Sequence, residues 1–406
     1  MTEAVIVAAA RSPIGRAGKG SLREARADDL LTQMIRAALD QVPGLDPAEI
    51  EDLMVGCAQP AGEQGYNIAR IAALQLGYDH LPGTTVHRYC SSSVQTSRMA
   101  FHAIRAGEGD VFISAGVEAV SRFGQGKADG MPDTKHPAYA EAAERSRALA
   151  ADADAHWRDP RELGLLPDIY IAMGDTAENV ADLRGVSRLA QDEWAVRSQN
   201  RAEAAAARGF WERDITPVRL PDGTVVAKDD GPRAGVTLEG ISGLAPVFRA
   251  HGTVTAANCC PLNDGAAALV IMSDTRAAEL GLTPLARIVS TGVSALSPEI
   301  MGLGPVAAVR KALGNAGMGI GDVDLLELNE AFAAQVVPSI DDLGIDHDRV
   351  NVNGGAIALG HPFGMTGARM TTTAINALRE RDEQIGVVSM CVAGGQGMAM
   401  VIERLS

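Results

Sequence analysis

Short apolar runs alternate with amphipathic stretches along the first third of the chain, and this pattern predicts alternating strands and helices. The predicted strands are residues 4–10, 53–57, 84–87 and 110–115, and the predicted helices are 28–41, 67–76 and 91–105. Apolar strands separated by helices favour a mostly parallel sheet that is covered by helices. The sequence therefore predicts an α/β fold.

The same series recurs near the C-terminus. The predicted strands there are 285–291, 323–328, 349–352, 385–390 and 398–403, and the predicted helices are 305–316, 330–337 and 366–378. A repeat this long indicates a duplicated domain and not a solenoid. In open α/β sheets, ligands collect beyond the carboxyl ends of the strands. We therefore expect the corresponding turns of the two halves, around Cys90 and around 354–362, to face one cavity.

A stretch in the middle of the chain does not follow this alternation. It contains a segment rich in Gly, Pro and charge at 124–137 and a strong helix at 187–208. We interpret it as an inserted loop domain that covers the cavity. The predicted organisation is 1–121 plus 253–274 for the N-terminal half, 122–252 for the insertion and 275–406 for the C-terminal half.

Composition and charge exclude several classes of function. Of the 406 residues, 46% are hydrophobic and 21% are charged, which is typical of a soluble globular protein. The net charge of −15 argues against nucleic-acid or anionic-membrane partners, although a local basic patch could still bind a small anion. No apolar run is long enough for a membrane span, and the first residues do not resemble a secretory signal.

The cysteine pattern predicts an intracellular, reduced protein. The chain has 5 cysteines, an odd number, with no Cys-x-x-Cys pair. We therefore expect a cytoplasmic location and no structural metal site.

Two of these cysteines are candidates for nucleophilic chemistry. Cys90 lies where a predicted strand passes into a helix that begins with Ser91–Ser93, and the positive end of a helix lowers the pKa of a thiol. Cys391 lies between an apolar strand and the pair Gly394–Gly395. A second thiol at that place could act as acid and base. The alternative for each cysteine is a structural thiol in the core.

His361 and Asn329 are further candidates. His361 lies between Gly360 and Pro362, which favours a fixed, exposed imidazole that could serve as a base or as an oxyanion donor. A satisfied loop histidine is the alternative. Asn329 begins the predicted helix 330–337, so a helix N-cap would explain it without any catalytic role.

These segments together resemble the thiolase family. The order along the chain matches that family: Cys90, the insertion, Asn-Glu-Ala-Phe at 329–332, Gly-His-Pro at 360–362, and then Cys391 with its glycines. The resemblance covers nearly the whole chain. It implies two βαβαβαββ halves packed as α-β-α-β-α layers, with an inserted loop domain.

The resemblance also implies an activity and a role for each residue. The enzyme would cleave 3-oxoacyl-CoA with CoA to acetyl-CoA and a shortened acyl-CoA, or catalyse the reverse Claisen condensation. Cys90 would carry the acyl group with His361 assisting its deprotonation, and Cys391 would move the proton at the α-carbon. His361 and a water held by Asn329 would bind the enolate oxygen. Backbone N–H groups of Cys90 and Ala393 would bind the thioester oxyanion.

CoA would be a substrate, and no tightly bound cofactor or metal is expected. The resemblance implies CoA contacts from Arg233, Met173, Cys260, Ala331 and Phe332. For Arg233 a solvated surface position is the common alternative. We expect a homodimer, or a homotetramer through the insertion.

Two other functions remain open at this point. One is a decarboxylating, ketosynthase-like condensing enzyme, which would not need Cys391. The other is a noncatalytic acyl-CoA or lipid carrier on the same scaffold, which could dispense with Cys90 or His361.

Overall fold

The computed structural model describes residues 2–130 and 132–406. The strands are β1 Ala4–Arg11, β2 Gly15–Arg16, β3 Asp52–Gly56, β4 Gly83–Val86, β5 Val111–Ala119, β6 Val218–Arg219, β7 Val225–Val226, β8 Asn263–Ser273, β9 Ala286–Ala295, β10 Leu325–Leu328, β11 Ile385–Val392 and β12 Gln396–Arg404. The α-helices are α1 Ala27–Leu39, α2 Ile68–Gln75, α3 Ser92–Ala106, α4 Ala140–Ala151, α5 Met173–Arg184, α6 Arg188–Ala207, α7 Phe210–Asp214, α8 Leu238–Ser242, α9 Asp274–Glu279, α10 Gly304–Ala316, α11 Ala333–Leu343, α12 Ala356–Leu359 and α13 Thr366–Arg381.

The two halves share one strand order, which confirms the predicted duplication. The N-terminal half is ordered β4-β3-β5-β8-β1, and the C-terminal half is ordered β10-β11-β12-β9. In both halves the early strands pair in parallel and the last strands pair antiparallel. Within the described part of the chain, the strands of the two halves pair only where β1 meets β9, through Val5 with Arg287 and Ile6 with Ala286.

Three apolar cores separate five layers. The middle core contains α3 and α13, which pack between the two sheets with side chains that include Val94, Ile104, Met370 and Leu378. A second core packs α1 and α2 on the outer face of the first sheet, and a third packs α10 and α11 on the outer face of the second. This is the predicted α-β-α-β-α arrangement, because each helix buries one apolar stripe against a sheet.

The predicted strand at 349–352 is wrong. Val350 makes only an isolated bridge with Leu326, and Asn351 has a φ of +47°, which is incompatible with an extended strand. The side chain of Asn351 supplies the missing pairing, because it accepts from the N–H of Leu328 and donates to its carbonyl, both at 2.8 Å. A side-chain amide here mimics the neighbouring strand of a ladder.

Between β5 and β8 the chain forms α4 to α8 and the small hairpin of β6 and β7. A fully buried arginine attaches this stretch to the first strand, since Arg11 lies 2.8 Å from Asp214 and 2.6 Å from Asp229. The chain then returns as β8, which pairs with both β1 and β5. Among the described residues, no helix is long and apolar enough to cross a membrane.

We predict that Gly292→Ala in β9 lowers the free energy of unfolding by about 1–3 kcal/mol. A Cβ at Gly292 would lie 2.2 Å from the carbonyl oxygen of Ala308, so α10 would have to move away from the sheet. Gly314→Ala is the matched control, because Gly314 lies in α10 and a Cβ there would have no atom within 4 Å. This substitution should stabilise the protein slightly. Urea unfolding followed by circular dichroism measures both variants, and equal effects would contradict the prediction.

Candidate active site

Cys90 lies in a strained turn between β4 and α3. Tyr89, the residue before it, has a φ of +41°, a conformation that side chains other than glycine rarely adopt. Short serine side chains at a helix start would be expected to cap its free N–H groups, but Ser91 and Ser92 do not. The hydroxyls of Ser91 and Ser92 donate to the carbonyls of Arg88 and Tyr89, so they stabilise the turn and leave the N–H groups at the start of α3 uncapped by their side chains.

The predicted lowering of the Cys90 pKa is also wrong. Burial raises the pKa of this thiol to about 12, although the backbone N–H groups of Ala393 and of Cys90 itself hydrogen-bond the sulfur and lower it in part. The buried carboxylate of Glu118 raises it further. The side chain of Cys90 borders one cavity and is otherwise enclosed by protein. The cost of desolvating its thiolate therefore exceeds the stabilisation that the N-terminus of α3 provides.

Cys391 is fully buried inside β11, not after it. Burial raises the pKa of its thiol, and the thiol of Cys90 raises it further. The turn that carries Cys90 packs against β11. The turn after β11 contains Gly394 and Gly395 with φ values of +80° and +79°. These left-handed residues turn the chain so that Ala393 directs its N–H at Cys90.

His361 is buried, with 1% of its surface exposed, and not exposed as predicted. Its Nδ1 lies 2.6 Å from the hydroxyl of Thr366, and that hydroxyl donates to the carbonyl of Pro362 at 2.7 Å. The hydroxyl of Thr366 has a single proton, which it donates to the carbonyl of Pro362. The same hydroxyl oxygen must therefore accept a hydrogen bond from Nδ1–H of His361. We therefore assign the neutral tautomer that carries its proton on Nδ1 and its lone pair on Nε2. Burial, with a contribution from Arg369, lowers the pKa of His361 to about 3.

Asn329 does not cap a helix. Helix α11 begins at Ala333, with Phe332 in the N-cap position. The side-chain Nδ2 of Asn329 lies 3.3 Å from Nε2 of His361 and donates to it. Its buried Oδ1 has no hydrogen-bond partner among the described residues, so it can accept a bond from a molecule in the site.

The residues proposed to contact CoA lie in two adjoining places. Met173, Ala331 and Phe332 pack with Cys391 in one apolar cluster, and the N–H of Cys260 donates to the carbonyl of Ala331 at 3.0 Å. Arg233 is exposed and lines a separate small groove. Cys259 borders both the groove and the cluster, so the two places are continuous.

A cavity of about 490 Å³ opens onto Cys90. Its apolar lining includes Ala172, Met173 and Phe363, and its other side chains are Gln59, His87, Tyr89, Asp129, Thr134, Lys135 and Tyr170. This volume can hold an acyl chain of several carbons beside the thiol.

Sequence reasoning missed the residues that orient the site. Thr366 fixes the tautomer of His361, and Asn263 accepts from the backbone N–H of His361 at 2.9 Å. The carboxylate of Glu118 is buried among backbone N–H groups. An acidic residue within the apolar run 111–119 was the one available signal for Glu118.

The geometry defines a class of enzyme. The turn that carries Cys90 packs against β11, which carries Cys391, and Cys391 packs with Ala331 and Phe332. Asn329, at the start of that same short segment, pairs through its amide with the neutral imidazole of His361. Such a set can form a thioester and stabilise oxyanions, which is the chemistry of acyl transfer.

Comparisons with known proteins identify the family. The family model described as thiolase, N-terminal domain matches residues 4–275, and that described as thiolase, C-terminal domain matches 282–404. The chain belongs to the thiolase family and is an acyltransferase that cleaves 3-oxoacyl-CoA with CoA. This finding favours the thiolase prediction over the ketosynthase-like enzyme and the carrier.

Similar proteins cover the whole chain. A 3-oxoadipyl-CoA/3-oxo-5,6-dehydrosuberyl-CoA thiolase of Escherichia coli K12 is 44% identical over 100% of both chains. A 3-ketoacyl-CoA thiolase of Bacillus subtilis 168 is 41% identical over 99% of this chain and 100% of that protein. The crystal structure of the Bacillus anthracis acetyl-CoA acetyltransferase is 38% identical, with a TM-score of 0.84 over 100% of this chain and 99% of that one.

We predict that alkylation of Cys90 by iodoacetamide in the free enzyme rises about tenfold per pH unit between about pH 7 and pH 10. Only the thiolate reacts, and a pKa of about 12 keeps the thiolate a minor species throughout this range. Peptide mass spectrometry separates Cys90 from the other cysteines, and Cys90→Ser controls for the assignment. A plateau near neutral pH would contradict the prediction.

Proposed function

We propose that this thiolase works through a thioester on Cys90, with His361 as the base and Cys391 as the second acid and base. The observation that supports this most directly is a chain of contacts: the Cys90 turn packs on β11, Cys391 of β11 packs with Ala331 and Phe332, and the adjoining Asn329 contacts His361. At rest the thiol and the imidazole are both neutral, because burial disfavours their charged forms.

In the cleavage direction, Nε2 of His361 takes the proton of Cys90 as the sulfur attacks the 3-oxo carbonyl carbon. The bond between C2 and C3 then breaks, and the electron pair leaves with the enolate of acetyl-CoA. Cys391 gives its proton to C2 of the enolate. The thiol of CoA next gives its proton to the thiolate of Cys391 and attacks the thioester on Cys90. The shortened acyl-CoA leaves, and His361 returns its proton to the sulfur of Cys90.

The polar groups of the site match the oxygens that become negative. The N–H groups of Cys90 and Ala393 already converge on the sulfur of Cys90, so they are suited to the oxyanion formed at the carbon bonded to it. His361 and a water bound by Oδ1 of Asn329 would hold the enolate oxygen. This explains why the amide nitrogen of Asn329 faces His361 while its oxygen is left free.

The inserted segment 122–252 is our candidate for CoA binding. Arg233 would face the phosphates of CoA, and the pantetheine would pass Cys259 and Cys260 toward the cluster of Met173, Ala331 and Phe332. The proposed chemistry needs CoA as a substrate and uses neither a metal nor a redox cofactor.

We further propose that the acyl group can be of medium length and end in a polar group. The cavity beside Cys90 combines an apolar lining with polar side chains, among them Lys135, whose Nζ lies 5.6 Å from the ring of Tyr170. The carboxylate at the end of a 3-oxoadipyl chain, the substrate named for one relative, would pair with Lys135. Asp129 lines the same cavity, so the preference should be modest.

A homodimer and a cytoplasmic location are also proposed. Strand β4 forms the edge of the first sheet, and Tyr66 nearby is 96% exposed, so this edge is available to a second copy. The segment 124–137 could support a tetramer. The five cysteines are unpaired, which favours a reducing compartment.

The first prediction separates the two thiols. Cys90→Ala should form no acyl-enzyme with acetyl-CoA, whereas Cys391→Ala should accept the acetyl group on Cys90 but lose at least about 100-fold in thiolysis. Mass spectrometry of the intact protein detects the acetyl group, and the loss of acetoacetyl-CoA absorbance measures thiolysis. Full turnover by both variants would show that the proposed roles are wrong.

The second prediction concerns the acyl group. With 3-oxoadipyl-CoA and 3-oxohexanoyl-CoA, which differ only in the terminal carboxylate, kcat/KM should favour the adipyl substrate about fivefold, the effect of a partly exposed ion pair. Lys135→Met should bring the ratio to about one. A preference for the uncharged chain in the unmodified enzyme would contradict the proposal and indicate a fatty-acyl substrate.

A further inference from the structure

Glu118 is a buried carboxylate that the acyl-transfer steps do not use. It lies on β5 with none of its surface exposed, and no lysine, arginine or histidine of the described residues lies within ion-pair distance of it. A buried carboxylate without a cation is costly unless hydrogen bonds stabilise it. Its retention at such a place therefore needs an explanation.

The carboxylate of Glu118 is held by donors from two separate segments of the chain. Oε2 accepts from the N–H groups of Ala58 and Gly364, both at 2.9 Å. Oε1 accepts from the N–H of Gln59 at 3.2 Å and from the side chain of Gln64 at 2.7 Å. All four of these N–H groups need an acceptor. The ionised carboxylate of Glu118 accepts from all four, whereas a protonated carboxyl would direct its own O–H at one of them.

The two segments that Glu118 joins both belong to the site. Ala58 and Gln59 line the cavity beside Cys90. Gly364 belongs to the loop that runs from His361 to Thr366, the residue that fixes the imidazole tautomer. The first segment comes from the N-terminal half and the second from the C-terminal half, so a single carboxylate fixes the distance between them.

We propose that Glu118 is a positioning residue of the acyl-transfer site, whose carboxylate joins the wall of the acyl cavity to the loop that carries His361. Because Glu118 binds the N–H groups of Ala58 and Gln59, its negative charge also lies beside the cavity that opens onto Cys90, where it opposes loss of the thiol proton. This inference rests on the roles proposed above for Cys90 and His361.

The electrostatic surroundings are consistent with both effects. Burial raises the pKa of Glu118 to about 7, while the N–H donors lower it in part. The titratable groups around the carboxylate are the thiol of Cys57, whose sulfur lies 3.9 Å from Oε1, the thiol of Cys90, and His361 at the start of the loop. Glu118 raises the pKa of both thiols, as expected for a buried anion.

Two substitutions separate position from charge. Glu118→Gln keeps the shape but turns an NH₂ group toward two of the N–H donors, and it removes the charge. Glu118→Asp keeps the charge but withdraws the carboxylate by one methylene. Both should lower kcat/KM for thiolysis of acetoacetyl-CoA, by roughly 100-fold for the glutamine, because a small displacement of a catalytic group is enough for such a loss.

Alkylation of Cys90 at fixed pH gives the readout that a merely structural residue would not change. Glu118→Gln should react several-fold faster than the unmodified enzyme, because the opposing charge is gone, whereas Glu118→Asp should not. Equal alkylation rates in the two variants would overturn the electrostatic part of the inference. Unchanged thiolysis in Glu118→Gln would overturn the positioning part.

Asp324→Asn is the matched control. Asp324 is also a carboxylate that joins two segments by accepting backbone N–H groups, those of Gln384 at 3.0 Å and Ile385 at 2.8 Å, but it lies outside the inserted segment and does not line the cavity at Cys90. It should lower the thermal midpoint and keep kcat/KM. An equal loss of thiolysis in Asp324→Asn would overturn the inference. Activity retained by Cys90→Ala would instead refute the proposed function itself, independently of Glu118.

Discussion

The two halves of the molecule touch backbone to backbone where β5 meets the loop after His361. A Cβ on Gly116 would lie 2.1 Å from the carbonyl oxygen of Gly364, and a Cβ on Gly364 would lie 2.3 Å from that of Val117. Side chains larger than hydrogen would force the halves apart at this point. The distance between the histidine loop and the nucleophile turn therefore depends on two glycines and the carboxylate that bridges them.

Such close packing determines the electrostatics of the site. With water excluded, the thiol of Cys90 and the imidazole of His361 both remain neutral, even though the thiol lies at the start of a helix. The helix end contributes a partial charge, but desolvation of a whole thiolate costs more. In the mechanism proposed above, the pair is therefore unreactive at rest, and proton transfer becomes favourable only when a bound carbonyl provides a place for the negative charge.

The sequence was sufficient for the layers and for the family, and insufficient for the environment of the candidate residues. Apolar runs predict buried strands well, because burial on both faces leaves little choice of residue. The failures at Asn329, Asn351 and His361 share a cause. Each is a polar residue whose hydrogen-bond partner lies far away in sequence or across a turn, so local rules assigned it to a cap, a strand or an exposed loop.

The segment 329–332 shows how the reaction and the fold depend on the same few residues. Asn329 turns toward His361, whereas Glu330 turns the other way and accepts from Trp194 and Ser198 of α6 and from Asn351. Ala331 and Phe332 then form the wall shared with Cys391. Because successive side chains of an extended segment point to opposite sides, one short stretch can fasten the insertion and also line the site.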